Sequence, residues 1–222
     1  NESHSEFSAT LDWSMKLVLL IAVPAAVGLI VLAEPLVATI FYGGVFTETD
    51  VAMTALALQA FSVGLVGFSY VKILAPAYFA REDTRTPVRI GLIALAVNFV
   101  LSVSLAWYLT SIGYAGTHAG LALAISVAAL LNAALLYRGL LRDAVLKHSS
   151  GWPALLAQVF VANALMWIVI EQLDRPLAWW LGTTAMDRAW WLAITIGAGA
   201  GTYFLVLLVL GLRPSKLGIR PH

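Results

Sequence analysis

The stretch Lys72–Ile90, KILAPAYFAREDTRTPVRI, decides the fold, because it joins two apolar runs through a short basic turn. Residues 51 to 71 before it and residues 90 to 109 after it carry no charge. A hydrocarbon core of roughly 30 Å is crossed by about 20 helical residues. Each run is therefore long enough to span a bilayer, and the turn between them lies outside it. Arg81, Arg85 and Arg89 assign that turn to the cytoplasmic side, where loops between spans carry the excess of Lys and Arg.

Composition agrees with this reading. The chain is 61% hydrophobic and 11% charged, with a mean hydropathy of +0.88, which places it among integral membrane proteins. The lack of cysteine excludes a disulfide framework and a Cys-ligated metal site. The net charge of +1 says little; the distribution of charge says more. The chain opens on polar NESHSEF, with no initiator Met and no charged region leading into a cleavage site. It reads as the C-terminal part of a longer polytopic protein.

Six apolar segments follow one another: residues 13–32, 51–80, 90–109, 120–141, 153–173 and 189–212. None shows the ten-residue alternation of a barrel strand, so all six are expected to be helices of an all-α membrane protein. Pro24 and Pro76 fall inside segments and predict a kink or loosened backbone there. Pro35, Pro87, Pro153 and Pro176 punctuate segment ends. Alternating the spans collects Lys16, Arg81, Arg85, Arg89, Arg138, Arg142, Lys147, Arg213, Lys216 and Arg220 on one side, ten of the thirteen basic residues. The opposite side keeps Arg175 and Arg188 against Glu48, Asp50, Glu171, Asp174 and Asp187. Both termini are then expected to be cytoplasmic. Trp107, Tyr108, Trp179, Trp180, Trp190 and Trp191 cluster toward the outer ends and read as interfacial lipid anchors.

Lys72 is the one charge well inside an apolar segment. An unpaired ammonium there costs about 2.5–3.5 kcal/mol on insertion scales, so it faces a cavity or partner, or its stem snorkels to the interface. Gln59, Ser62, Ser69 and Lys72 fall on one broad helical face, and a polar stripe ending in a cation suits a cavity for an anionic head group. Asn98 and Ser102 are one turn apart on the third segment, and Ser126 and Asn132 lie on the fourth. Such residues hydrogen-bond between helices. The sharper reading is a cation site of Asn98, Ser102 and Ser126, although hard cations usually want a carboxylate and these segments hold no mid-membrane acid. Glu34 reads as an interfacial acid, and Gly197 with Gly201 as a small-residue pair for close helix packing.

Catalytic and cofactor patterns are absent. The histidines are scattered, and there is no HExxH, GxxxxGK or GxSxG. The chain is not expected to be an enzyme or to bind a metal or cofactor. The basic turns lack interleaved aromatics, which argues against nucleic acid.

KILAPAYFAREDTRTPVRI closely resembles a segment that recurs in the MurJ/MviN family of lipid II flippases. Three other stretches agree in order: LDWSMKLVLLIAVPAAVGLIVLAEPL, GGVFTETD and HAGLALAISVAALLNAALLY. The resemblance is most specific over residues 11–137. It implies the C-terminal part of a fourteen-helix MOP-type fold, in which two six-helix lobes face a central cavity and two further helices follow. These six segments would be the ninth to the fourteenth. Residues 1–148 would be the last four helices of the C-lobe, and residues 149–222 the two additional helices, which would help form the groove attributed to the undecaprenyl tail. The family's essential cavity arginines lie mainly in preceding helices. Some members place a sodium site between the lobe's helices. Asn98 matches its asparagine, and Ser102 stands where those members have an aspartate.

The implied function is outward movement of lipid II, the undecaprenyl-linked peptidoglycan precursor, across the bacterial inner membrane by alternating access. The implied partners are lipid II, membrane lipids and the preceding helices of the same protein. The alternatives are another MOP-type exporter of polysaccharide lipids or drugs, and a non-transporting membrane scaffold.

Overall fold

The structure, a computed structural model, describes residues 2–114 and 116–212. Arg213, Lys216 and Arg220, counted above toward the basic side, lie outside the described residues. Among those described there are nine helices and no strand: α1 (Glu2–Val31), α2 (Ala33–Phe41), α3 (Glu48–Val63), α4 (Leu65–Phe79), α5 (Arg85–Ser111), α6 (Thr117–Arg142), α7 (Trp152–Leu173), α8 (Leu177–Gly182) and α9 (Ala185–Val209). Six stretches are long and apolar enough to cross a membrane, with α3 and α4 acting as one.

Two interruptions shape the first half of the bundle: one falls at the expected end of the first segment, where a further short helix follows, and the other falls inside the segment 51–80, which was read as a single helix. The first separates α1 from α2 at Leu32, and its cause is Pro35. A proline ring clashes with the carbonyl four residues earlier, here that of Val31, the last residue of α1. The second lies at Gly64, between α3 and α4. The Ser126 hydroxyl donates to the carbonyls of Ala60 (2.7 Å) and Phe61 (3.1 Å) beside this break. A Cβ on Gly64 would stand 2.6 Å from the Ser126 Cα, and one on Gly67 would stand 2.7 Å from the Ala129 carbonyl carbon. Glycine at both positions lets the chain lie directly on α6.

Helix continues through both Pro24 and Pro76. Pro24 leaves the Leu20 carbonyl without its helical donor, and the buried Tyr203 hydroxyl of α9 donates to that oxygen at 2.9 Å. Freed backbone groups in a membrane helix are commonly satisfied by a neighbouring helix in this way.

Three apolar clusters hold the bundle. One joins α1, α7 and α9 around Leu20, Val159, Met166, Ile170 and Tyr203. A second joins α1, α4 and α6 around Met15, Leu74, Tyr78 and Leu136. The third packs α2, α3, α8 and α9 around Val37, Val51 and Trp180. In the α7–α9 contact it is Gly199 that meets Ile170, at 2.8 Å for an added Cβ, whereas Gly197 and Gly201 meet nothing within 4 Å. The small-residue pair expected to pack is thus not the one that does; the packing face of α9 lies between them.

The aromatic belt is also divided. Trp107 and Trp190 are exposed, as lipid anchors would be, but Trp180 is 1% exposed. Its indole donates to the Asp174 carboxylate and to the Arg175 carbonyl.

Candidate functional site

The cleft between α4, α5 and α6 gathers the most informative polar groups within the spans. It encloses about 410 Å³ and is lined by Lys72, Asn98 and Asn132 among small and apolar residues. Its size lies within the range of ligand pockets. Lys72 projects from α4 on an exposed side chain, with no carboxylate in ion-pair distance among the described residues. Asn98, on α5, accepts a long hydrogen bond from Ser102 at 3.4 Å. The Asn132 side-chain oxygen, on α6, is buried and has no partner. Gly91, Ala94 and Ala128 keep the walls thin. One cation and two carboxamides, each with hydrogen-bonding capacity to spare, suit an anionic or heavily hydroxylated group.

The other residues of the α3–α4 stripe do not share this cleft. The Gln59 amide donates to the Ile30 carbonyl at 3.1 Å and lines a separate cavity against α1 and α6. Ser62 is fully buried and turns back on the Leu58 carbonyl, and Ser69 does the same to Leu65. Asn98 and Ser102 stay together, while Ser126 is taken up beside the Gly64 break. Among the described residues no group of three or more His, Asp or Glu side chains could hold a metal ion.

Sequence reading missed two polar centres. Asp12, 2% exposed near the start of α1, accepts from Ser149 Oγ at 2.5 Å, Trp152 Nε1 at 2.7 Å and His148 Nδ1 at 3.3 Å, and pairs with Lys16 at 3.2 Å. His148 Nε2 meets the Tyr137 hydroxyl at 2.6 Å. With the Arg81–Asp143 pair at 3.4 Å, these contacts bring the start of α1, the 80–84 turn and the 143–151 turn to one end of the bundle. The Asp12–Lys16 spacing of one helical turn was the only local signal, since Ser149 and Trp152 lie far along the chain.

The second is Arg188, which the charge count treats as a loop residue. It is 7% exposed, and its guanidinium donates to the Ala38 carbonyl at 2.9 Å and lies 5.3 Å from the Tyr42 ring centre. It caps the C-terminal end of α2, where the carbonyl-rich terminus favours a cation. Outside the spans, hydrogen bonds from Thr86 hold the Asp83 carboxyl below the usual carboxylate range. Burial pushes that of Asp174 up.

Fold and site together define a multi-pass α-helical membrane protein with a polar cleft inside its spans. The family model described as lipid II flippase MurJ matches residues 1–188, and the chain belongs to that family. It is 41% identical over 220 residues to a probable lipid II flippase MurJ of Vibrio cholerae, covering 97% of this chain and 40% of that protein. It is 37% identical over 219 residues to the lipid II flippase MurJ of Burkholderia cenocepacia, covering 96% and 40%. A solved lipid II flippase MurJ in an inward closed conformation superposes with a TM-score of 0.73 at 22% identity, over 92% of this chain and 39% of that one. The chain spans about two fifths of the length of these relatives, and its fold is that of the matched part of the solved structure.

Proposed function

We propose that these six spans form the C-terminal part of a lipid II flippase, which moves the undecaprenyl-linked precursor outward across the bacterial inner membrane. Residues 1–148 complete the C-lobe and residues 149–222 supply two added helices. The basic end lies in the cytoplasm, and transport proceeds by rocking of this lobe against helices that the relatives carry in their additional length. Family membership supports the reading. One observation carries its residue-level content: Lys72, without a counter-ion among the described residues, lines a cleft with Asn98 and the unpartnered Asn132 oxygen. An unpaired cation exposed within the cleft is free to meet a phosphate there, and the attraction strengthens wherever opposing helices exclude water from the cleft. Lys72 therefore assists the pyrophosphate, while the two amides bind sugar hydroxyls or phosphate oxygens.

The test is translocation of fluorescent lipid II in proteoliposomes. The protein carrying this chain together with its relatives' additional length should move lipid II faster than a polysaccharide-linked polyprenyl pyrophosphate. Residues 1–222 alone should move neither. Equal rates for the two lipids would favour the broader exporter reading, and no movement of either by the longer protein would favour a scaffold.

A further inference from the structure

We infer that the basic end of the bundle holds a selective site for an anionic glycerophospholipid, separate from the Lys72 cleft. Two cavities meet there and share His148 and Ser149. One, of about 710 Å³, is a polar basin lined by Ser8, Arg81 and Lys147. The other, of about 580 Å³, is an apolar groove between α1, α4 and α6 and the start of α7, lined by Leu19, Leu74, Tyr137 and Leu156. Polar basin and apolar groove lie on either side of one turn, so a single amphipathic molecule can fill both, its head in the basin and one acyl chain in the groove.

Charge selects the head group. Of the permanently charged side chains that line the basin, Arg81 and Lys147 stand against Asp143, with the Lys16–Asp12 pair beside them. The Asp12 side chain is buried and already saturated by Lys16, Ser149, Trp152 and His148, and so presents little charge to the basin. Asp143 is offset by Arg81. The Lys147 ammonium has no carboxylate in ion-pair distance among the described residues. Its backbone N–H is fixed by Ser8 Oγ at 2.9 Å, which anchors the residue at the rim. A phosphate there completes the charge balance, while the Ser8 and Ser149 hydroxyls lie within the same cavity walls. Below it, the Trp152 and Tyr137 rings mark the level where an aromatic side chain meets the head-group region. The apolar groove contributes in proportion to the methylenes it removes from competition with bulk lipid, but it does not distinguish head groups. Selectivity therefore rests on the basin.

The experiment is native mass spectrometry of the protein carrying this chain and its relatives' additional length, titrated in detergent with phosphatidylglycerol or phosphatidylcholine of matched chains. The unmodified protein should retain phosphatidylglycerol preferentially. Arg81→Gln and Lys147→Gln, both at exposed positions, should each weaken it about fivefold with little effect on phosphatidylcholine. Leu156→Trp, which fills the groove, should weaken both lipids. Arg175→Gln, a cation at the opposite end, should change neither. Equal retention of the two lipids by the unmodified protein would overturn the inference, as would phosphatidylglycerol binding at the original affinity by a variant carrying both Arg81→Gln and Lys147→Gln.

Discussion

Replacing Asp12 by alanine tests how the start of α1 is tied to the turn that leads into the last pair of spans. Its carboxylate is 3% exposed and accepts three hydrogen bonds, from Ser149 Oγ, Trp152 Nε1 and His148 Nδ1, besides the ion pair with Lys16. A hydrogen bond to a charged group contributes about 1.5–3 kcal/mol. Breaking a buried pair from one side costs about 3–5 kcal/mol, because the partner charge stays behind. Lys16 is 16% exposed and retains contact with Ser149 and the Trp152 ring, which recovers part of that loss. The expected net destabilisation is about 3 kcal/mol. For a chain of this size that lowers Tm by about 6–12 °C. The assay is thermal unfolding in detergent followed by fluorescence-detected gel filtration. Asp12→Asn keeps one acceptor oxygen and should fall between the two. An Asp12→Ala protein that unfolds within about 1 °C of the parent would show that the cluster is a solvated surface arrangement that ties nothing together.

Gly64→Leu should destabilise by about 1–3 kcal/mol or more in the same unfolding assay, because its Cβ meets the Ser126 backbone rather than a yielding side chain. Tyr203→Phe removes the donor to the Leu20 carbonyl that Pro24 leaves free and should cost about 1 kcal/mol with the apolar packing kept. Asp174→Asn should stabilise slightly at neutral pH. Burial raises the native carboxyl's pKa, so its ionised form is disfavoured in the folded state, and that disadvantage disappears as pH falls through the native pKa. The gap between Asp174→Asn and the parent should close in unfolding scans toward acid pH. Single cysteines at Thr84 and Ser150 should be protected from an impermeant thiol reagent in intact cells, while those at Val45 and Thr183 react.

The spans were legible because each is a long, nearly uncharged apolar run bounded by charge or by Pro and Gly, and the basic stretch around residues 81–89 marks the junction of two of them. The basic end was legible as charge, but its architecture was not. Asp12 meets Ser149 and Trp152 across more than 130 residues, and no spacing in the sequence signals a contact of that range. Arg188 read as a loop cation because α2 was not anticipated, and without α2 there is no helix end for it to cap. The polar stripe through Gln59, Ser62, Ser69 and Lys72 assumed one straight helix. The break at Gly64 falls within it, and short side chains such as Ser62 and Ser69 satisfy themselves on the preceding turn. Lys72 is long and has no such local acceptor, and it alone of the four lines the α4–α5–α6 cleft.

The part of Lys72 in transport is tested most directly by the rate of lipid II translocation in proteoliposomes by the longer protein with Lys72 intact, with Lys72→Gln and with Lys72→Arg, at equal incorporation. Movement well above protein-free vesicles is expected for the parent, loss for Lys72→Gln, and partial recovery for Lys72→Arg, which restores the charge but not the shape. Parent-level translocation by Lys72→Gln would contradict that role and leave Lys72 a snorkelling residue with no part in transport.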